Sequence, residues 1–527
     1  MERELKSLEW LKGTRVVLVS NRASVVLQET SQGLKGERAS GGLVSALEPL
    51  AAAAQGVWVA WGGRSGRDFP GARIGVPPGH PRYTLREVIL TPEEVEGYYH
   101  VFANRVLWPL CHYFLEKCSY SPEAWVCYRN VNEKFAEIAC EEAAAGGLIW
   151  VHDYHLALVP GFIRKRNARA RIGFFWHIPF PHPDFFCILP QAEEILAGLL
   201  GSDLLGFHVP RYCRNFLDAV ELVLGARVDR ERGAVYWEGR RVLVRSLPVG
   251  VDYEAFAGIA RRPEVRTRAR QLKELLGTEY LALGVDRLDY TKGIKERLLG
   301  IELFFEEHPS YCGRLTYVQI AVPTRSGVAE YRSLRREVEE IVGRVNGRFG
   351  KPGWTPVVYL YRAFARPELV AYYLAADLLL VTPLRDGLNL VAKEYVASRA
   401  GSGVLILSPF AGAAEELAAA LLVNPYHPEE ISDCIKYALE MPEAEKAERM
   451  EALYSVVARH DVLWWIDSFL TLWRTGGAEP VLKVFRGRQG SGFRFPLKTA
   501  GARERGQEAK AALGAFWSGE AKEKESF

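Results

Sequence analysis

The sequence predicts an α/β chain of two doubly wound domains facing each other across a cleft. Three observations predict it. Short apolar, β-branched runs alternate with longer helical patterns, as βαβ units around parallel sheets require. The alternation runs through once and then restarts. The length, 527 residues, is enough for more than one core, since a domain commonly holds about 100–200 residues.

In the first series, segments 15–22, 56–63, 147–155, 171–180, 202–208 and 241–250 read as strands that lead into loops. In the second, 280–287, 314–323, 355–362, 377–383, 403–409 and 418–425 do the same, with helices between them. Segments 369–376 and 429–441 carry the i, i+3, i+4 apolar spacing of helices that face a core. The two series join near Pro248 to Tyr253. The expected organisation is a first domain at 1–247, a second at 248–455, a helical segment at 456–475 packing back on the first domain, and a charged extension at 476–527. Within that extension, residues 483–505 hold seven Lys or Arg against one acid, Glu504.

Composition excludes several function classes. With 48% hydrophobic and 25% charged residues the chain is neither disordered nor fibrous. A net charge of +3 from 67 basic and 64 acidic residues is too balanced for a nucleic-acid or membrane surface over the whole molecule. Any basic site must be local. The start lacks the apolar core of a signal peptide, and no stretch reaches the roughly 18 apolar residues of a membrane span, so a cytoplasmic protein is expected. Eight scattered cysteines without a C-x-x-C pair suit a reducing compartment, with neither disulfides nor zinc expected.

A ligand in this fold sits beyond the carboxyl ends of the strands, which makes the cleft the expected site. Five groups of residues there carry chemistry. SNR (20–22), followed by SGGL (40–43), joins a strand end to a glycine pair ahead of a helix. Gly41 and Gly42 would let backbone N–H groups approach a phosphate or sugar, or would simply make a turn. Arg22 has a surface ion pair as its alternative. RLDYTKGI (287–294) brings Arg287 and Lys292 to a helix entrance, where they could clamp a pyrophosphate or remain a solvated pair.

TPLRDGLNLVAKEY (382–395) places Asp386 at a helix entrance and Glu394 about two turns inside. Asp386 before a glycine also suits a cap or turn. An idle buried Glu394 would cost several kcal/mol, so the pair suits sugar hydroxyls. HDYH (152–155) and FFWHIPFPHP (174–183) crowd four histidines near strand ends without a metal-ligand spacing. Asp153 and His177 are better read as polar contacts to a substrate, or as satisfied structural residues. YYHVFANRVLWPLCHYF (98–114) reads as a core helix from which Tyr99 and Trp108 could face the cleft and meet a pyranose or a phosphate.

These stretches, with DLLGFH, NGRFGKPGWTP and NPY, stand in an order that resembles the trehalose-6-phosphate synthase family of retaining glycosyltransferases (glycosyltransferase family 20), over roughly residues 14–473. The resemblance implies a GT-B fold, with the acceptor on the first domain and the sugar nucleotide on the second. It places glucose 6-phosphate against Arg22, Tyr99, Asp153 and Arg325. It places the donor pyrophosphate at Arg287 and Lys292, with Gly41 and Gly42 closing over it. Leu390, Val391 and Glu394 would hold the ribose and phosphates, Phe364 would lie beside the base, and His177 and Asp386 would grip the transferred glucose. Trp108 and Ile178 match positions associated with the acceptor anomer.

The implied activity is transfer of glucose from a nucleotide-glucose to glucose 6-phosphate with retention, giving α,α-trehalose 6-phosphate. The nucleotide sugar is then a co-substrate, no further cofactor or metal is expected, and UDP is the family's usual base, with ADP and GDP open. A glucosylglycerol-phosphate synthase or another transferase to a phosphorylated acceptor is the enzymatic alternative, and a silent sugar-phosphate-binding regulator the non-enzymatic one. No nucleic-acid or membrane partner is expected, and a homo-oligomer is compatible with the sequence.

Overall fold

The computed structural model describes residues 5, 7–30, 33–38, 41–66, 71–77, 79–144, 146–325, 329–399 and 401–477. The charged extension expected at 476–527 lies outside them from residue 478 onward. Two open sheets dominate. The first contains β1 (Val16–Arg22), β4 (Val57–Trp61), β5 (Arg73–Val76), β6 (Tyr83–Glu87), β7 (Leu148–His152), β8 (Arg171–Phe175), β9 (Leu204–Phe207), β10 (Arg227–Asp229), β11 (Ala234–Trp237) and β12 (Arg240–Ser246). A separate hairpin is made by β2 (Val25–Thr30) and β3 (Gly33–Arg38). The second sheet contains β13 (Tyr280–Arg287), β14 (Leu315–Val322), β15 (Val357–Leu360), β16 (Leu378–Val381), β17 (Val404–Leu407) and β18 (Leu421–Leu422).

The first sheet has the order β10-β11-β12-β9-β8-β7-β1-β4-β6-β5, and the second β15-β14-β13-β16-β17-β18. All six strands of the second sheet pair in parallel. The twelve strand segments read from the sequence are all present. The expected count of about six in the first series is too low, because β5, β6, β10 and β11 extend it to ten. β5 and β10 are short antiparallel edge strands and β11 is the antiparallel strand beside β10; all three have fewer buried residues than an interior strand such as β7. Interior strands read as unbroken apolar runs because helices cover both faces: all five residues of β7, LIWVH, are buried.

The parallel strands of each sheet reverse their direction of winding once. In the first sheet this happens between β1 and β7, and in the second between β13 and β16. At such switch points the loops diverge and leave a crevice beyond the strand ends.

The main chain passes between the two halves twice. The first crossing follows β12. The second precedes helix Val462–Thr475, whose N-cap is Asp461 accepting from Trp464 N at 2.8 Å. This helix lies on the first sheet, with Phe469 stacked on Trp150 at 4.2 Å between centroids and Trp465 edge-on to Phe175. The crossings touch: Val462 N donates to Val251 O at 3.1 Å, and a Cβ on Gly250 would collide with the Asp461 backbone. Buried Lys393 ties them to the second half, donating to Val249 O at 2.9 Å and to Glu416, which also meets His460 at 2.9 Å.

Segment 98–114 departs from the α-helix read in the sequence. Thr91 and Glu94 form a capping box, and the chain then runs as a π-helix over Val95–Leu107 before a short α-turn, Trp108–Cys111. Pro109 has no N–H to give, and this local loss accompanies the change of register.

Candidate active site

The carboxyl ends of both sheets open on a cavity of about 310 Å³ between the halves. Nine of the sixteen residues singled out in the sequence line it: Gly42, Asp153, His177, Arg287, Lys292, Asp386, Leu390, Val391 and Glu394. Arg22, Tyr99, Trp108 and Arg325 form an adjoining corner. Gly41, Ile178 and Phe364 do not line the cavity. Gly41 is the N-cap of helix Gly42–Ala53, Ile178 is buried behind His177, and Phe364 packs beside Tyr372 with Arg362 over its ring at 4.6 Å.

The corner is built on the switch point of the first sheet. Arg22 ends β1 and lies over the rings of Trp61 (4.5 Å) and Tyr99 (4.9 Å). Trp108 carries Arg325 at 4.4 Å and Arg287 at 5.5 Å. Such stacking orients a guanidinium without neutralising it. Among the described residues neither Arg22 nor Arg287 has an ion-pair partner, whereas Arg325 pairs with Asp289 at 3.1 Å and meets Tyr331. Burial pushes the Tyr99 phenol up, but Arg22, Arg325 and Arg287 outweigh it and hold the group below its usual range.

Asp153 follows β7 with φ +77° and accepts from Tyr154 N at 2.9 Å and His177 N at 3.3 Å. Burial pushes its carboxyl up to about 6, against those two bonds and the pull of Arg287 and Arg325. His177 is held neutral, its pKa depressed by burial and then by His208. Its Nε2 stands 3.2 Å from His152 Nδ1, and its carbonyl lies 3.1 Å from His208 Nε2. Nδ1 is thus the ring nitrogen left for a ligand.

The second switch point supplies the other wall. Arg287 ends β13, and Lys292 closes a single 3-10 turn before helix Ile294–Glu307. Lys292 Nζ meets Asp386 Oδ2 at 2.5 Å, and Asn389 Nδ2 donates to the same oxygen at 3.1 Å. The solvated alternative for Lys292 is excluded, since its side chain is 8% exposed. The helix after Asp386 begins only at Leu390 and is capped by Asn389, whose Oδ1 accepts from Ala392 N at 3.3 Å. Asp386 therefore sits in the preceding loop, a correction to its expected place at the helix entrance. The reason is its bond to Lys292 across the sheet, which competes with capping. Glu394 accepts from Tyr373 Oη at 2.9 Å, and burial raises its pKa despite Tyr373 and Arg366.

The walls touch directly. A Cβ on Gly42 would come within 2.5 Å of Leu390 Cδ1, and one on Gly387 would strike the His177 carbonyl. Tyr212 Oη also donates to Asp386 O at 3.1 Å.

Four contributors went unread in the sequence. Arg297 is fully buried and binds Asp286 (2.6 Å), Thr382 (2.9 Å) and the Lys292 carbonyl (3.1 Å), which fixes the loop between them. The signal was a cation on the apolar face Ile294–Arg297–Leu298–Ile301. His208, at the end of DLLGFH, and Asn389 line the cavity. His112, whose ring is pushed down to about 3 chiefly by burial, bonds Trp108 O at 2.7 Å. Among the described residues no three His, Cys, Asp or Glu side chains converge as a metal-binding group, and no helix is long and apolar enough to cross a membrane.

Comparison with known proteins agrees with this architecture. The family model for glycosyltransferase family 20 matches residues 14–474. Trehalose-6-phosphate synthase of Mycolicibacterium smegmatis is 42% identical over 473 residues, covering 88% of this chain and 93% of that one. The bifunctional trehalose-6-phosphate synthase/phosphatase of Thermoproteus tenax is 41% identical over 472 residues, but this chain spans only 63% of its length. Among solved structures, an α,α-trehalose-phosphate synthase (UDP-forming) from Burkholderia vietnamiensis superposes with TM-score 0.81 at 36% identity, over 88% of this chain and 98% of that one. One from Burkholderia xenovorans in complex with glucose-6-phosphate gives 0.80 at 33%, over 87% and 100%. A trehalose-6-phosphate structure from E. coli bound with UDP-2-fluoro glucose gives 0.80 at 36%, over 88% and 99%. Two facing doubly wound sheets, a cationic cleft at their switch points and a match over nearly the whole described chain lead to one conclusion: this protein belongs to glycosyltransferase family 20.

Proposed function

We propose that this enzyme transfers glucose from a nucleotide-glucose, UDP-glucose by the names of its relatives, to glucose 6-phosphate with retention, giving α,α-trehalose 6-phosphate. One observation carries the reading. Two switch points face each other and bring an arginine-lined corner (Arg22, Arg287, Arg325) against a lysine–carboxylate wall (Lys292, Asp386), as two phosphorylated ligands require. In this reading Arg22, Tyr99, Asp153 and Arg325 take the acceptor. Lys292 and Arg287 take the donor phosphates, Gly41 and Gly42 close over them, and Leu390, Val391 and Glu394 hold the ribose. Phe364 stands nearest the base, His177 and Asp386 hold the transferred sugar, and Trp108 and Ile178 shape the anomeric end.

Retention through a covalent intermediate would need a free carboxylate beside the anomeric carbon, about 5 Å from its acid in retaining glycosidases. Each cavity-lining carboxylate already has partners: Asp153 two backbone N–H groups, Asp286 Arg297, Asp386 Lys292 and Asn389, and Glu394 Tyr373. That supports front-face substitution. The C1–O bond to the diphosphate breaks, the acceptor oxygen bonds C1 from the same side, and its proton passes to the departing phosphate oxygen. Lys292, Arg287 and the amino end of helix Ile294–Glu307 stabilise the charge that develops. With these cations in place we propose no metal requirement.

A matrix of UDP-, ADP- and GDP-glucose against glucose 6-phosphate and other phosphorylated acceptors, read by nucleotide release, tests the reading. Turnover is expected with glucose 6-phosphate and to survive EDTA. Preference for glycerol 3-phosphate, or a loss that metal rescues, overturns the corresponding part.

A further inference from the structure

The chain just past the Trp108–Cys111 turn reaches across the cleft to the loop of Asp386, in a contact that no step of the transfer described above uses. Tyr113 has φ +68°, a left-handed backbone that costs a residue with a side chain free energy and persists where its surroundings hold it. Three contacts hold it here. Its Oη accepts from His182 N at 2.8 Å, its ring meets Phe185 edge-on at 4.6 Å, and the Arg385 guanidinium lies over that ring at 4.1 Å. The first two tie Tyr113 to the stiff loop after His177. The third ties it to the opposite half.

Arg385 is half-buried and does not line the cavity. Among the described residues its guanidinium has no ion-pair or hydrogen-bond partner; it has two rings, Tyr113 and, more distantly, Phe410 of its own half at 5.7 Å. Neither a cavity contact nor a carboxylate accounts for its place, so the Tyr113 ring does. The backbone around it is fixed within the second half: Leu384 N and Arg385 N donate to Thr291 O at 2.8 and 3.3 Å, and Asp386 N to Phe410 O at 3.1 Å. A pull on the Arg385 side chain therefore reaches Asp386, the next residue, whose carbonyl also accepts from Tyr212 of the first half. A further bond between the halves, Arg211 to Glu415 at 3.3 Å, is an exposed ion pair of the kind that contributes little. A partly shielded cation over an aromatic face contributes more.

We propose that Tyr113 and Arg385 are positioning residues for the transfer. Their contact joins the two halves, so it is made only when the cleft is closed, and it then sets Asp386 against the sugar and keeps water from the donor. This rests on the reading of Asp386 as a contact of the transferred glucose. Without the clasp the closed state loses population, and water enters. The water oxygen then bonds C1, the C1–O bond to the diphosphate breaks, and a water proton passes to the departing oxygen, which yields free glucose and nucleotide.

The test is a double-mutant cycle on the full chain, read by nucleotide release, by transfer to glucose 6-phosphate and by small-angle X-ray scattering without substrate. Arg385→Gln and Tyr113→Leu are each expected to lower kcat/KM for UDP-glucose roughly 3–30-fold, the range of a cation–π pair, and the double variant no further than the worse single one. The share of nucleotide released without transfer should rise about threefold or more in all three, and the radius of gyration should increase. Arg385→Lys and Tyr113→Phe, which keep a cation and a ring, should lose less. Arg211→Gln should change kcat/KM by less than about twofold. Additive losses overturn the proposal, since the two side chains then act separately. So does an unchanged share of hydrolysis, or an equal loss in Arg211→Gln. Scattering needs no substrate: an unchanged radius in Arg385→Gln and Tyr113→Leu overturns the clasp whatever the site transfers. A larger radius in those variants, with a parent that moves no glucose to glucose 6-phosphate, supports the clasp and overturns the reading of the site.

Discussion

Arg22 and Lys292, one at each corner of the active site, hold positive charge in opposite ways. Where the acceptor is proposed to bind, Arg22 lies on two aromatic faces and has no carboxylate partner among the described residues. Where the donor phosphates are proposed, Lys292 is already bonded to Asp386. A ring positions a cation and leaves its charge available, whereas a carboxylate positions it by cancelling it. Acceptor binding can thus add to the arrangement, while donor binding must exchange partners: phosphate takes Lys292, and Asp386 is released towards the sugar.

The largest effect that could break this contrast comes from the donor corner. Lys292→Ala is expected to lower turnover about 10³-fold, the cost of removing a preorganised charge stabiliser, with far-UV circular dichroism unchanged. Near-wild-type turnover would remove Lys292 from the reaction. Asp386→Asn sharpens the comparison because it separates binding from chemistry. Turnover should fall about 10²-fold, yet calorimetry should find free UDP bound more tightly, since Lys292 no longer has a competing carboxylate. Weaker UDP binding would mean that the pair is structural only.

In the acceptor corner Arg22→Ala should raise KM for glucose 6-phosphate about 10–100-fold, the worth of a hydrogen bond to a charged group, with a smaller change in kcat. Next comes pH. With the Asp153 carboxyl raised to about 6, kcat/KM for the acceptor should fall as pH drops through 6. Phosphate monoesters ionise in the same range, so the check is Asp153→Asn, in which the remaining limb should belong to the substrate alone. The same shift has a stability sign. Between the unfolded value near 3.9 and about 6, the folded chain retains a proton that the unfolded chain has lost, so this group's contribution falls as pH rises. Asp153→Asn should therefore raise Tm relative to the parent at pH 8 and not at pH 3. Gly42→Ala gives the smallest effect: its Cβ meets only the rotatable end of Leu390, so a severalfold loss in kcat/KM for the donor is expected.

Legibility followed the same division. Interior strands and the residues at their carboxyl ends could be read because burial on both faces writes an unbroken apolar run, with a polar residue at its exit. β5, β6, β10 and β11 could not, since short strands at or beside a sheet edge are buried at few or alternate positions and leave no such run. The loop residues Arg287, Lys292 and Asp386 were visible as polar exceptions at strand exits, but the Lys292–Asp386 bond was not, because it joins positions 94 apart in the chain. Asp386 was misplaced for that reason: a local rule for helix caps cannot see a distant competitor. Arg297 was hidden because a buried cation looks like any charged helical residue until its partners on β13 and just past β16 are known.

The double passage of the chain beside Gly250 and Asp461 has a mechanical consequence. A door hung on one pin can twist as well as swing, but one hung on two adjacent pins turns about the line through both. With Val462 bonded to Val251 and Lys393 holding Val249, rotation of the halves is confined to an axis at the back of the cleft. Any opening then carries Leu390 away from Gly42 along a fixed arc, and returns it to the same register.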